Sequence, residues 1–131
     1  MSIPFWCVVI GGALPYVWSF ASFNGRAADD GGIDNHTPRA QQAKLTGVAA
    51  RAIAAHNNAF EAFPFFAASV FIAHLCDADP TLSSYVAMTW VAFRIGHGVS
   101  YLANFWPTRS LSFLLGLVCN AVLIYLAATA A

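Results

Sequence analysis

Charged residues are scarce in this sequence. Lysine, arginine, aspartate and glutamate make up 9% of its 131 residues, whereas hydrophobic residues make up 59%. A soluble domain of this size carries about 25% charged residues. The apolar residues also fall in blocks that approach the roughly 20 residues of helix needed to cross a hydrocarbon layer. The composition therefore predicts an integral membrane protein with a single domain, residues 1–131. The formal net charge is zero, which gives no general attraction to nucleic acid.

The sequence also lacks the cysteine spacing of a disulfide framework or a metal site. Cys7, Cys76 and Cys119 are isolated, mostly within apolar runs, and form no CxxC pair. We interpret them as small hydrophobic residues and predict no metal. The amino terminus has neither a basic region before its apolar run nor an obvious small-residue cleavage site. We therefore expect this run to be a helix and not a removed signal peptide.

Four apolar segments predict four membrane-spanning helices in an all-α bundle. The predicted spans are about residues 3–23, 39–75, 81–105 and 109–128. The first span contains Pro15 and is followed by a polar loop rich in Asp and Gly, whose Thr37-Pro38 pair suits a helix start. Short turns at residues 77–80 and 106–108 separate the later spans.

The basic residues are distributed unevenly between the loops. All six fall in or toward the first and third loops, whereas the second loop has only Asp77 and Asp79. The positive-inside rule then predicts that the first and third loops face the cytoplasm. The basic residues are Arg26, Arg39, Lys44, Arg51, Arg94 and Arg109.

Ionisable residues inside the spans are candidate functional residues, because inserting each one costs roughly 2.5–3.5 kcal/mol. In the second span, Arg51, Asn58 and Glu61 lie within an arc of roughly 80° at helical spacing. The same face carries small residues that allow a helix or ligand to approach closely. These small residues are Gly47, Ala54 and Ala62.

A second polar stripe lies on the third span. Arg94, His97 and Tyr101 recur at i, i+3 and i+7, within an arc of roughly 60°. Arg109 and Ser110 open the fourth span at the same predicted membrane level. The first turn of a helix is a favourable place for an anion.

Structural explanations are open for the same residues. Glu61 could pair with Arg51 or Arg94 and hold helices together, and Asn58 could hydrogen-bond across helices. His56 points away from the Asn58 and Glu61 face, which favours a structural role. A proton or ion pathway through Glu61, His97 and Arg94 is a further alternative, although a one-sided polar cluster gives little support for a path across the whole membrane.

Two motifs resemble those of the MAPEG family, the membrane-associated proteins in eicosanoid and glutathione metabolism. Residues 51–66 contain an Arg, then Asn-x-x-Glu, then Pro-x-Phe. Residues 94–102, followed by Pro-Thr-Arg-Ser at 107–110, are similar to the third span and the start of the fourth in the prostaglandin E synthase and microsomal glutathione transferase branch. The resemblance is to bacterial-type members, which implies a bacterial inner membrane.

The resemblance implies a homotrimer that binds glutathione between neighbouring protomers. The implied activity is that of a glutathione-dependent transferase or peroxidase acting on lipophilic electrophiles or lipid hydroperoxides. Arg109 would stabilise the thiolate with Ser110 as a helper. The residues that would hold glutathione or complete its polar network are Arg51, Asn58, Glu61, Arg94, His97 and Tyr101. The alternative is a non-catalytic member that binds a lipid or small amphiphile in the same cleft between protomers.

The chain departs from the family pattern at two positions. Ala54 and Asn57 stand where glutathione-using members commonly or sometimes carry a basic residue. Fewer cations are then available for a tripeptide with two carboxylates. We expect Arg26 or Arg39, from the first loop, to compensate.

Overall fold

Helices account for all the regular structure in the computed structural model, which describes residues 1–28 and 31–130. Over these residues it contains no β-strand. The helices are α1 Ile3–Ala21, α2 Phe23–Ala27, α3 Pro38–Lys44, α4 Gly47–Leu75, α5 Pro80–Leu102 and α6 Trp106–Ala128. The long helices α1, α4, α5 and α6 correspond to the apolar segments of the sequence.

The predicted continuous helix over residues 39–75 is wrong, because the chain leaves the helical conformation between α3 and α4. Leu45 and Thr46 are extended, with ψ angles of 148° and 172°. Gly47 then has a φ of +58°, in the left-handed region that glycine adopts without steric cost. Pro38 begins α3 as expected, so the polar first part of the segment is a short separate helix.

The other helix ends differ from the predictions by a few residues. The first helix stops at Ala21, where Ser22 donates its hydroxyl to the Ser19 carbonyl at 2.7 Å, and the chain resumes as α2. The predicted third span, which is α5, ends at Leu102 instead of residue 105, and Asn104 follows with a φ of +56°. The predicted fourth span, which is α6, begins at Trp106 instead of residue 109, because Pro107 is well tolerated in a first helical turn.

The loop after α2 folds back onto α3. Gln41 donates its side-chain amide to the carbonyl of Gly32 at 2.7 Å and to that of Arg26 at 3.2 Å. The loop prediction also included Asp29 and Asp30, which lie outside the described residues. At the opposite end of the molecule, the Asp79 carboxylate accepts the backbone N–H groups of Thr81 and Leu82, both at 2.8 Å, and caps α5.

Aromatic residues fill the interior between the long helices. Trp90 of α5 stacks on Phe66 of α4 with ring centroids 3.7 Å apart and planes within 4°. Trp18 of α1 packs with Leu14 of the same helix in a second buried cluster. Trp18 also lies directly against the backbone of Gly98 in α5, since a Cβ on that glycine would be 2.2 Å from the indole ring.

The outer surface is apolar, as in a protein surrounded by lipid. Large hydrophobic side chains are exposed along every long helix, including Phe20 of α1, Phe65 of α4, Ile95 of α5 and Leu114 of α6. By length and composition, three segments of the described chain are able to cross a membrane. They are residues Ile3–Ala27, Gly47–Leu75 and Trp106–Ala128.

Gly98→Ala should destabilise the protein, because its new methyl group would overlap Trp18, which is only 8% exposed. We expect a loss of about 1–3 kcal/mol in the free energy of unfolding, as for other overpacked cores. Gly96→Ala is the matched control, since its Cβ meets Ser112 at an ordinary 3.6 Å. The control should gain up to about 1 kcal/mol from helix propensity. Equal thermal unfolding of the two variants in detergent would contradict the close packing of α1 and α5.

Candidate functional site

A buried hydrogen bond joins α4 to α5 at the centre of the predicted polar cluster. Arg94 is 3% exposed, and its Nη2 donates to the Asn58 side-chain oxygen at 2.7 Å and to the Asn58 carbonyl at 3.3 Å. Asn58 therefore makes the hydrogen bond between helices that the structural explanation predicted for it. Within the described residues, Glu61 makes no ion pair with Arg51 or Arg94. Glu61 is exposed on the surface of the single protomer.

A second group of predicted residues meets at the start of α6. The Arg109 guanidinium lies 4.6 Å from the centroid of the Tyr101 ring, a cation–π contact. The Tyr101 ring meets the His97 ring edge-on at 5.1 Å, and His97 lies 6.3 Å from Phe113. The three predicted residues therefore form one contact chain. In the part of the chain that the structure describes, Arg109 has no carboxylate partner.

The turn between α5 and α6 is fixed by a bond that sequence reasoning missed. The hydroxyls of Ser100 and Thr108 lie 2.7 Å apart. The Ser100 hydroxyl donates to the Gly96 carbonyl at 2.7 Å, and with its proton used there its oxygen accepts from Thr108. Thr108 lies in the first turn of α6, next to Arg109. A rigid turn thus holds the Arg109 backbone in place.

Arg51 and Ser110 lie outside these two groups of contacts. The Arg51 Nε donates to the Leu102 carbonyl at 3.4 Å, at the end of α5. A cation is stabilising there, since the last carbonyls of a helix lack partners and carry partial negative charge. Ser110 is exposed, and its side chain makes no hydrogen bond to any described residue.

A cavity of about 180 Å³ opens between α4, α5 and α6, beside Arg94. Most of its wall is apolar. Its polar lining residues are Glu61, Arg94 and Asn120, and its aromatic ones are Phe65, Trp90 and Phe113. Sequence reasoning missed Asn120, although an amide within the most apolar span, whose mean hydropathy is 2.2, is a detectable signal.

Glu61 also borders a second, open groove. Arg39 lines this groove, together with His56, Asn57 and Phe60. Of the two loop arginines expected to compensate for missing cations, Arg39 therefore lies on the Glu61 side of the molecule.

Arg26 and His56 make hydrogen bonds to other parts of the protomer. The Arg26 Nε donates to the Gln41 side-chain oxygen at 3.3 Å, within the first loop. His56 contacts the Pro15 carbonyl through Nδ1 at 2.7 Å, which ties α4 to α1. Of the two loop arginines, Arg39 lines the groove beside Glu61 and Arg26 bonds within the first loop.

Asn58→Ala should destabilise the protein, because it removes the side-chain acceptor of a buried guanidinium. We expect a loss of about 1–3 kcal/mol, the cost of leaving a buried group unsatisfied. Asn57→Ala, at the exposed neighbouring position, is the control and should change the unfolding free energy by less than about 0.5 kcal/mol. Thermal unfolding in detergent measures both. If both variants unfold like the wild type, the bond does not contribute to stability.

A comparison with profiles of known protein families identifies the family of the chain. No curated protein matched the chain. The profile of the MAPEG family matches residues 3–129, nearly the whole length. This family includes glutathione transferases and peroxidases. The match and the three apolar helices identify an integral membrane protein, and the chain belongs to the MAPEG family.

Proposed function

We propose that this protein is a membrane-bound, glutathione-dependent transferase or peroxidase acting on lipophilic electrophiles or lipid hydroperoxides. One observation carries the proposal. The Arg109 guanidinium stacks on Tyr101 at 4.6 Å, beside His97, and no described carboxylate neutralises it. A permanent cation on a rigid helix start is suited to stabilising an anion.

The charged groups of the site fit glutathione, which carries an amine, two carboxylates and a thiol. Glu61 has no ion pair among the described residues and can accept from the amine. Arg39, in the groove beside Glu61, can bind a carboxylate. Asn58 uses its oxygen for Arg94 and keeps its amide N–H groups for the tripeptide.

Tyr101 would hold the tripeptide near Arg109, and His97, which is 3% exposed, would act through its ring contact with Tyr101. Arg94 contributes indirectly, because its bond orients Asn58. Arg51 contributes by fixing the end of α5.

When bound, glutathione supplies a thiol whose pKa of about 8.5 leaves it mostly protonated at neutral pH. Arg109 lowers the free energy of the thiolate relative to the thiol, because it carries its charge at every physiological pH. Tyr101 holds the guanidinium in position from below. The first turn of α6 adds the positive end of the helix dipole. Ser110, the next residue along α6, is the proposed helper.

We propose that α5 also spans the membrane, which gives a bundle of four spanning helices. Its 23 residues reach about 34 Å, enough to cross the hydrocarbon. Its mean hydropathy is lowered by polar residues that face inward, since Arg94 and His97 are each 3% exposed. Its outward face is apolar and carries Leu82, Tyr85, Met88, Ile95 and Val99.

We further propose a homotrimer that assembles through α4, with glutathione in the cleft between protomers. Glu61 is exposed on a single protomer, and an ionised side chain facing lipid is unfavourable. Ala54 and Ala62 on the same face allow a neighbouring helix to approach. A second protomer would then cover Glu61 and supply the other wall of the site.

A non-catalytic role is the second candidate. In it the cleft binds a lipid or small amphiphile, and the polar residues serve assembly. The mainly apolar wall of the 180 Å³ cavity favours this candidate.

We predict that Arg109→Ala lowers turnover by more than about 10-fold at saturating glutathione with a chlorodinitrobenzene substrate, since 1.4 kcal/mol of lost thiolate stabilisation gives that factor. Binding should weaken less, because Asn58, Glu61 and Tyr101 remain. Arg51→Ala is the comparison and should affect assembly or binding more than turnover. Wild-type activity in Arg109→Ala would remove its enzymatic role and favour the binding protein.

The detergent-corrected mass of the purified protein should correspond to three chains. Each chain has a mass of 14.0 kDa. Light scattering with separate detergent and protein signals measures this. A mass of one or two chains would contradict the assembly.

We propose that the protein lies in a bacterial inner membrane with its first and third loops in the cytoplasm. Cys76, in the turn between α4 and α5, is exposed, whereas Cys7 and Cys119 are buried. A membrane-impermeant maleimide should therefore label Cys76 from the periplasmic side in spheroplasts. Labelling only from the cytoplasmic side, in inverted vesicles, would reverse the orientation.

A further inference from the structure

Asn120 is a buried polar residue that the proposed thiol chemistry does not use. It lies within α6 and is 2% exposed. Its side-chain oxygen is buried and accepts no hydrogen bond from any residue that the structure describes. A buried acceptor without a donor costs about 1–3 kcal/mol, so a group of this kind calls for an explanation.

The unpaired oxygen belongs to a residue that lines the cavity between α4, α5 and α6. Gly116, one helical turn earlier, lines the same cavity and leaves space because it has no side chain. A Cβ on Gly116 would lie 3.7 Å from the indole nitrogen of Trp90, so an N–H donor lies at this wall as well. An acceptor and a donor thus occur within one apolar cavity.

The cavity is the size of one ring. Its volume is about 180 Å³, and an apolar cavity of about 150 Å³ holds a benzene molecule. The space is too small for a tripeptide. Phe65, Trp90 and Phe113 provide an aromatic wall. A ring or a short acyl segment therefore fits, and its polar group must donate a hydrogen bond if it is to satisfy Asn120.

We infer that this cavity binds a lipophile that carries a hydroxyl group on its ring or short chain, and that the hydroxyl donates to the Asn120 side-chain oxygen. The Trp90 N–H can donate to the hydroxyl oxygen in turn. Asn120 comes eleven residues after Arg109, about 16 Å further along α6. The recognised hydroxyl is therefore remote from the proposed thiolate. The inference goes beyond the proposed function, because binding at Asn120 requires no thiol.

The test compares two ligands that differ only in the donor. The probes are 4-(trifluoromethyl)phenol and 4-(trifluoromethyl)toluene, and fluorine NMR measures their binding to the protein in lipid nanodiscs without glutathione. The ratio of their dissociation constants is compared between the wild type and Asn120→Leu, so that partitioning into lipid cancels. We expect the preference for the phenol to fall by at least about 5-fold in Asn120→Leu. Val118→Leu, at a 48% exposed position on α6, is the control and should keep the ratio.

A second variant locates the site without altering Asn120. Gly116→Leu fills the cavity and should weaken binding of both probes by at least about 10-fold. The inference is overturned if the ratio is the same in the wild type and Asn120→Leu, or if Gly116→Leu binds both probes normally. An Asn120-dependent ratio in a protein without glutathione turnover would refute the proposed function and leave this site intact. Glutathione turnover together with an unchanged ratio of dissociation constants in Asn120→Leu would support the proposed function and refute this site.

Discussion

The hydrogen bond from Arg94 to Asn58 joins the two helices that carry most residues of the candidate site. A guanidinium inside a membrane helix costs roughly 2.5–3.5 kcal/mol on insertion scales, and a charge-assisted bond offsets part of this cost. The Asn58 side-chain oxygen is the acceptor, at 2.7 Å, and the bond holds α4 against α5. Arg94 donates to Asn58 and not to Glu61, so Glu61 makes no ion pair among the described residues. Its carboxylate is therefore available to a ligand.

Polar and apolar binding surfaces follow one another along α6. Arg109, Phe113, Gly116 and Asn120 recur at i, i+4, i+7 and i+11, within an arc of about 60°. The first meets Tyr101, the second lies near His97, and the last three line the cavity. The proposed thiolate site and the cavity therefore lie on one face of α6.

The long helices could be predicted from the sequence, because long apolar blocks in a membrane protein have few other conformations available. The break before α4 could not. Leu45 and Thr46 are compatible with a helix locally, and one glycine does not specify a break, so the positive φ of Gly47 is seen only in the structure. The limits of α6 were missed for a simpler reason, since Pro107 was assigned to a turn but lies in the first helical turn.

The polar residues of the candidate site could be predicted, but their pairings could not. Helical spacing places Asn58 and Glu61 on one face and Arg94 on a facing helix, but it does not decide which of the two accepts from Arg94. That choice depends on the relative height of the helices and on side-chain rotamers. Asn120 was missed because it is isolated from the other polar residues along the chain and meets Arg94 only across the cavity.

The ionisation of the bound thiol shows whether Arg109 stabilises a thiolate. Glutathione is titrated with pH on the purified protein, and the ultraviolet absorbance of its thiolate is followed. If Arg109 has this role, the bound thiol ionises well below its free pKa of about 8.5, and Arg109→Ala returns the pKa toward that value. A bound thiol that titrates like free glutathione in the wild-type protein would contradict the account.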